Sequence, residues 1–235
     1  MLKNVNIKTN VMALLLVNSM AFSCSSKAQK SNLDVTAFEK GMATQTVQLL
    51  DVRTAGEYES GHLKNALQAD WNRPDQFKQR VKALDKKTPV YTYCLSGARS
   101  GAAVAWLRQN GYTAYNMEGG IKNWNKEGKP LEQIAAVPQM SLAAYLLQIP
   151  ADKTVLVDFG AEWCPPCKTM EPVLADLQKS HGTKFMLIKV DGASQKDLVK
   201  ELNIEEFPTF IVYKNGKAVW KKTGLMEKAE LIEQL

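Results

Sequence analysis

Two short stretches of this sequence hold cysteines in settings that could do chemistry. Cys94 lies in VYTYCLSGARSG (90–101), between an apolar run and small residues, and Cys164 and Cys167 lie in EWCPPCK (162–168). A lone cysteine can be a buried apolar residue, a metal ligand, a phosphatase nucleophile or a sulfur carrier. Two cysteines separated by two residues can form a redox-active disulfide or a structural one.

Composition argues against a metal site and against nucleic-acid binding. The histidines are His62 and His181, and with four scattered cysteines they offer no spacing that gives four nitrogen or sulfur ligands. The 235 residues carry 30 Lys and Arg against 24 Asp and Glu, and no basic run forms a stripe. We therefore expect no metal, no other cofactor and no nucleic-acid partner.

The N-terminus is typical of an export signal. Lys3 and Lys8 precede the short apolar run VMALLLV (11–17), which is far below the ~20 residues that span a bilayer as a helix. Small residues flank Cys24 in AFSCSS, a pattern that resembles a bacterial lipoprotein signal; the alternatives are a plain secretory signal with a free cysteine and a fortuitous apolar stretch. We predict a signal peptide over 1–23, lipidation of Cys24, and a periplasmic, membrane-anchored protein.

Strand-like runs alternate with helical patterns twice along the rest of the chain. A polar tether (24–32) leads to runs such as VQLLDVR and PVYTYC, each followed by a helical pattern. A second alternation ends in a hairpin with the Asn-Gly turn that such hairpins favour. We predict an α/β protein of two domains, a parallel-sheet domain at 33–131 and a second domain at 141–235, with a linker at 132–140.

Cys94 is predicted to lie where a strand ends and a helix begins. Backbone N–H groups at a helix start carry partial positive charge, so they stabilise a thiolate and lower the pKa of the thiol. Gly97 and Gly101 allow the backbone to approach a ligand, and Arg99 adds a cation. Arg99 comes one residue earlier than in the C-x5-R loop of cysteine phosphatases, so the shorter loop fits a single sulfur better than a phosphate.

Three motifs make residues 33–131 resemble a single rhodanese domain. LLDVRTAGEYESGHLKNAL (49–67), CLSGARS (94–100) and EGGIKNW (118–124) follow the order of that family's entry motif, active-site loop and closing segment. The resemblance implies that Cys94 accepts sulfur from thiosulfate or another sulfane donor as a persulfide. The loop residues whose amides would hold the persulfide are Leu95, Ser96, Gly97, Ala98 and Ser100.

The same resemblance leaves two roles open for Arg99. It could orient the anionic donor, or it could brace the loop by pairing with an acid such as Asp51 or Glu57. Asp51, Arg53, Glu57 and His62 are expected to shape the scaffold rather than to react, because a motif histidine beside glycine usually satisfies a turn.

The CxxC stretch and its surroundings resemble thioredoxin. VLVDFGAEWCPPCKTMEPVL (155–174) and FPTFIVYKNGK (207–217) carry the residues by which that family is recognised. Cys164 is predicted to be the exposed nucleophile near a helix start, and Cys167 the resolving thiol one turn on. The resemblance implies that Asp158 is a buried carboxylate that accepts the proton of the resolving thiol.

Further residues follow from the thioredoxin resemblance, together with departures from it. Trp163 and Pro208 would contact substrate, with Pro208 in the cis form facing the disulfide, and Lys189 would lie beside the carboxylate. Pro165 stands where thioredoxin usually has glycine and removes an N–H from the helix start. Gly160 replaces a common aromatic residue, and the family's usual first strand is hard to see in MSLAAYLLQIPADK.

The pairing of the two domains suggests a relay as the combined function. Cys94 would collect a sulfane sulfur, Cys164 would attack the persulfide, and Cys167 would release sulfide as the disulfide closes. The expected partners are a sulfane donor, thiol or disulfide proteins, and a membrane electron donor that reduces the disulfide again. The alternatives are a protein-disulfide reductase whose first domain docks substrates, and a non-catalytic binding lipoprotein.

Overall fold

The computed structural model describes Met1 and residues 30–235. The predicted signal peptide at 1–23, the lipidation site Cys24 and most of the tether lie outside the described residues, so those expectations remain predictions. Among the described residues, no helix is both long enough and apolar enough to cross a membrane.

The first domain is a five-stranded parallel sheet with helices around it. In chain order its elements are β1 (Asn32–Leu33), α1 (Val35–Thr44), β2 (Gln48–Asp51), α2 (Ala55–Glu59), β3 (Leu67–Gln68), α3 (Pro74–Val81), β4 (Val90–Tyr93), α4 (Ala98–Gln109), β5 (Ala114–Met117) and α5 (Gly120–Lys126). The strands lie in the order β1-β5-β4-β2-β3, and every pairing is parallel, which confirms the predicted sheet.

Strand β4 is the middle strand of the five, and all four of its residues are buried. One face of the sheet packs an apolar cluster that includes Leu50, Phe77 and Leu107. The other face packs a cluster that includes Phe38 and Met117. A strand buried on both faces is fixed in position. The residue that follows it, Cys94, is therefore held at a defined point of the sheet edge.

The second domain is a four-stranded mixed sheet. Its elements are α6 (Leu142–Leu146), β6 (Thr154–Gly160), α7 (Pro165–His181), β7 (Phe185–Asp191), α8 (Lys196–Glu201), β8 (Thr209–Lys214), β9 (Lys217–Thr223) and α9 (Lys228–Gln234). The order is β7-β6-β8-β9, with β6 and β7 parallel and the other pairs antiparallel. Where a first strand was hard to see, the chain forms α6, which Ser141 caps.

The two domains pack directly against each other around Trp163. The Gln68 N–H at the edge strand β3 donates to the Trp163 carbonyl oxygen at 2.9 Å. The Tyr58 ring lies 5.7 Å from the Trp163 ring, and the Arg80 guanidinium lies over that ring at 5.1 Å. Two ion pairs add to the contact, Lys196 with Glu59 and Arg73 with Glu206.

Candidate active site

The Cys94 sulfur sits at the turn between β4 and α4, as predicted. The Gly97 N–H donates to Cys94 Sγ at 3.1 Å, and the Ser100 hydroxyl donates to it at 3.3 Å. Cys94 is only 1% exposed. Burial by itself raises the pKa of the thiol, but hydrogen bonds from the Ser100 hydroxyl and from the N–H groups of Ser100, Ser96 and Gly97 outweigh it. The pKa of Cys94 is therefore lowered, which favours the thiolate.

The glycine pair of the closing segment anchors the Cys94 loop. Gly120 has φ +59°, and a Cβ on it would lie 2.4 Å from the Cys94 carbonyl oxygen. This close approach lets the N–H groups of Ile121 and Lys122 donate to the carbonyls of Cys94 and Leu95 at 2.9 and 3.1 Å. The closing segment thus sets the backbone of the loop, so that its remaining N–H groups turn toward the sulfur.

Arg99 braces the loop on Glu57. Its two terminal nitrogens donate to the two carboxylate oxygens of Glu57 at 2.8 and 2.6 Å. The Arg99 hydrogen bonds hold the pKa of Glu57 down at about 2, and the Thr54 N–H and hydroxyl also donate to this carboxylate. Of the two roles left open by the sequence, the structure therefore supports bracing, with Glu57 rather than Asp51 as the partner.

Asp51, Arg53 and His62 form the scaffold below this loop, in keeping with the prediction. Asp51 is fully buried and bonded to Arg53, which also donates to the Gly61 carbonyl at 2.7 Å. His62 donates from Nδ1 to the Tyr58 carbonyl at 2.9 Å and stacks on the Tyr58 ring. Asp51 and Arg53 bond to each other, and Arg53 and His62 bond to backbone carbonyls, so the three side chains shape the entry motif.

Cys164 and Cys167 form a disulfide at the start of α7. Cys164 is the N-cap residue of that helix, and its Sγ accepts from the Cys167 N–H at 3.3 Å. Pro165 removes an N–H, but not the one that reaches this sulfur. The expectation that Cys164 is exposed is wrong for this arrangement, because Cys164 is 0% exposed. It belongs to an apolar cluster that both domains share, in which Tyr58 and Ala66 come from the first domain.

Asp158 lies close to the resolving cysteine. Asp158 is paired in register with Lys189 on the neighbouring strand, and its Oδ1 is buried with no hydrogen-bond partner. Burial raises the pKa of Asp158 to about 6, the charge of Lys189 lowers it and that of Glu171 raises it. A Cβ on Gly160 would lie 3.6 Å from Cys167 Sγ and 3.9 Å from Asp158 Oδ1. A Cβ at position 160 would therefore make ordinary van der Waals contacts with both groups, which places both of them beside Gly160.

Pro208 and Trp163 complete the second site. The peptide bond between Phe207 and Pro208 is cis, as predicted. The Phe207 ring lies 6.1 Å from Trp163, and Phe207 packs on the apolar cluster that contains the disulfide. Sequence reasoning missed the first-domain residues that contact Trp163, namely Tyr58, Gln68 and Arg80. No sequence signal links them to the CxxC stretch, since the contact exists only once both domains have folded.

Comparison with known proteins agrees with both halves of the fold. The family model described as Thioredoxin matches residues 134–235, and the Rhodanese-like domain matches residues 34–127. Thioredoxin 1 of Plasmodium falciparum is 41% identical over 88 residues, which are 37% of this chain and 84% of that protein. The chloroplastic Thioredoxin Y of Oryza sativa subsp. japonica is 38% identical over 85 residues, 36% of this chain, which spans only 51% of that protein's length.

A solved structure also aligns with the first domain. It is a rhodanese-like domain protein from Staphylococcus aureus, at a TM-score of 0.40 and 29% identity, covering 45% of this chain and 99% of that one. The fold and the two cysteine sites together define a dithiol–disulfide oxidoreductase with a sulfurtransferase-like domain. The chain belongs to the thioredoxin family through residues 134–235, and it carries a rhodanese-like domain ahead of them.

Proposed function

We propose that this protein transfers sulfane sulfur and reduces it to sulfide, with the two cysteine sites acting in sequence. The single observation that carries the proposal is the Cys94 sulfur, which accepts from the Gly97 N–H and the Ser100 hydroxyl while Arg99 is held close by. Such a site favours a thiolate and can retain an anionic persulfide.

The first half-reaction loads Cys94. Its thiolate attacks the outer sulfur of thiosulfate or another sulfane donor, the sulfur–sulfur bond of the donor breaks, and the remainder leaves with the bonding electron pair. From thiosulfate the leaving group is sulfite. The product is a Cys94 persulfide, which the donors around the sulfur would hold.

The second half-reaction uses the reduced dithiol. The Cys164 thiolate attacks the outer persulfide sulfur and releases the Cys94 thiolate. Cys167 then attacks the Cys164 sulfur, forms the disulfide and expels hydrosulfide with the electron pair. Asp158 lies near Cys167 and would accept its proton as it becomes the attacking thiolate. The disulfide must then be reduced by an external dithiol donor, which we place at the membrane.

The placement of the two sites favours this order of events. Gln68, which bonds to Trp163, pairs in register with Asp51, and Asp51 pairs with Tyr93, the residue before Cys94. Neighbouring strands lie ~4.8 Å apart, so β3, whose Gln68 bonds to Trp163, is only about 10 Å from β4, the strand that ends just before Cys94. Cys94 and the Trp163 backbone, which precedes Cys164, therefore both lie at the carboxyl edge of the first-domain sheet.

Mass spectrometry with thiosulfate tests the proposal. Cys164→Ser should accumulate one added sulfur atom on the peptide that contains Cys94, whereas the reduced wild-type protein should release one sulfide per disulfide formed. Cys94→Ser is the matched control and should neither load sulfur nor release sulfide. Unchanged sulfide release by Cys164→Ser, without any added thiol, would contradict the relay.

A second candidate function is protein-disulfide reduction with the first domain as a docking module. The observation that favours it is the contact of Tyr58, Gln68 and Arg80 with Trp163, because these residues occupy the face beside the redox disulfide. Insulin reduction at an equal rate in wild type and Cys94→Ser, with no sulfur loading of either, would favour this function.

We also propose that the protein is exported and anchored to a membrane through Cys24. The support is the sequence pattern alone, a basic start, a short apolar run and small residues around Cys24. Cell fractionation with Cys24→Ser tests this placement: the variant should lose membrane association and acylation, and an unchanged membrane fraction would contradict it.

A further inference from the structure

A cavity of about 470 Å³ lies between the two domains, and none of Cys94, Cys164 and Cys167 lines it. The first domain contributes α3 residues such as Arg80, and the second contributes Trp163 and Phe207. Seven charged residues line it, four basic and three acidic: Arg73, Arg80, Lys196, Lys200, Glu59, Glu205 and Glu206. The wall therefore carries one positive charge in excess.

Arg80 is the buried cation of this cavity. It is only 5% exposed, and its Nη1 donates to the Gln68 carbonyl at 3.2 Å and to Gln68 Oε1. Among residues 30–235 no carboxylate contacts Arg80, and no acceptor is bonded to its Nε or Nη2. The guanidinium also lies over the Trp163 ring, whose buried Nε1 has no partner either. Arg80 thus lines a space large enough for a ligand and has donors without a bonded acceptor.

The acids near Arg80 in the described part of the chain act on it through space and none is bonded to it: the charges of Glu206 and Asp70 favour its protonated form, and that of Arg73 opposes it. Glu206 pairs with Arg73, and Glu59 pairs with Lys196. Burial lowers the pKa of Arg80 to about 10, so the group stays protonated at neutral pH. A buried cation without a bonded counter-charge is costly, and an anion in the cavity would offset that cost.

We propose that the cavity between the domains binds a small oxyanion, such as sulfate or thiosulfate, on the free donors of Arg80. A guanidinium presents two parallel N–H groups that match a pair of oxygens. The site requires no chemistry at Cys94, so it goes beyond the proposed function. Because both domains line the cavity, a bound anion stabilises the arrangement in which Cys164 is covered.

Titration of the full chain with sulfate tests the site. The ionic strength is held constant with chloride, and binding is followed by calorimetry and by the thermal midpoint. The wild-type protein should bind saturably and melt at a higher temperature, and its disulfide should become slower to reduce. Arg80→Lys should weaken binding roughly tenfold, because it keeps the positive charge but loses the two parallel N–H donors of the guanidinium.

A variant at the exposed edge of the cavity tests the site even if substitutions at Arg80 disturb folding. Lys200 is exposed, so Lys200→Glu should leave Arg80 in place and weaken sulfate binding several-fold. Lys217→Glu makes the same change on the distant strand β9 and should leave binding unaltered. Equal weakening by both variants would show bulk charge rather than a site, and no saturable binding above chloride would overturn the proposal.

Parallel titrations with thiosulfate and acetate identify the class of anion. The Cys94→Ser background prevents thiosulfate from reacting. Stronger binding of thiosulfate and sulfate than of acetate would assign the cavity to sulfur oxyanions, whereas stronger acetate binding would contradict that class. Equal binding of all three anions in wild type and Arg80→Lys would overturn the assignment to Arg80.

Discussion

The two cysteine sites of this molecule share one backbone arrangement and differ in what stands next to the sulfur. At each site the cysteine precedes a helix, and the N–H three residues later donates to its sulfur, Gly97 to Cys94 and Cys167 to Cys164. Beside Cys94 stands a hydroxyl, and beside Cys164 a second thiol. The helix start thus favours a thiolate at both sites, while the neighbouring group selects sulfur carriage or disulfide exchange.

The largest expected effect is a clean separation of the two activities. Cys94→Ser should abolish sulfur loading and leave the reduction of insulin disulfides unchanged. Cys167→Ser should abolish insulin reduction and leave sulfur loading at Cys94 intact. Mass spectrometry and turbidity assays on both variants check this, and a joint loss of both activities in either variant would break the comparison.

Replacement of a glycine by alanine should have opposite effects on stability at the two sites. Gly120→Ala would place a Cβ 2.4 Å from the Cys94 carbonyl at φ +59°, so we expect a loss of more than about 1 kcal/mol in the free energy of unfolding, together with slower sulfur loading. Gly160→Ala meets only ordinary contacts and should stabilise the protein by about 0.4–1 kcal/mol. Urea melts compare the two variants.

Asp158 should make the second site less stable at neutral pH. Its pKa rises to about 6 in the folded protein from about 3.9 when unfolded, so folding is weakened as the pH rises through that window. Asp158→Asn should raise the free energy of unfolding at pH 7.5 by on the order of 2 kcal/mol, and by little at pH 4. It should also slow insulin reduction.

Urea melts of Asp158→Asn and wild type at the two pH values measure this effect. Asp176→Asn is the control, since Asp176 is ion-paired with Lys228 on the surface. If Asp158→Asn changed the free energy of unfolding equally at both pH values, ionisation of the buried Asp158 carboxylate would not be the cause.

Ser100 should tune the first site alone. Its hydroxyl is the largest of the influences that lower the pKa of Cys94, so Ser100→Ala should raise that pKa and slow alkylation at neutral pH. The lost hydrogen bond is worth on the order of 0.5–1.5 kcal/mol. Rates of iodoacetamide labelling against pH measure it. Ser96→Ala keeps its backbone donor and should match the wild-type profile.

The smallest effect concerns the brace of the Cys94 loop. The pKa of Glu57 is depressed to about 2, so the pair with Arg99 contributes stability above the unfolded pKa of about 4.3 and loses it as the pH falls toward 2. The pair is partly solvent-exposed, which limits its contribution to about 1 kcal/mol. Glu57→Gln should flatten the stability profile between pH 5 and pH 2. An unchanged slope in urea melts would contradict the bracing role.

Much of the fold and of both sites could be predicted, because the signals are local. Buried strands, the Asn-Gly turn and the cysteine turns follow from runs of a few residues. Three helices were missed, α1, α2 and α6, although Asp34, Thr54 and Ser141 cap them. The prediction that Cys164 is exposed was wrong, because its burial depends on Tyr58 and other residues far upstream in the chain.

The packing of the first domain over Trp163 has a consequence for any visiting protein. A substrate protein that binds at the redox disulfide must compete with the first domain, which already contacts Trp163. The connecting chain holds that domain nearby at a millimolar-order effective concentration. A substrate protein will reach Cys164 only if it binds more tightly than the first domain does, or if it arrives while the two domains are apart. The rhodanese-like domain would then act as a built-in filter on what the thioredoxin-like domain can reduce.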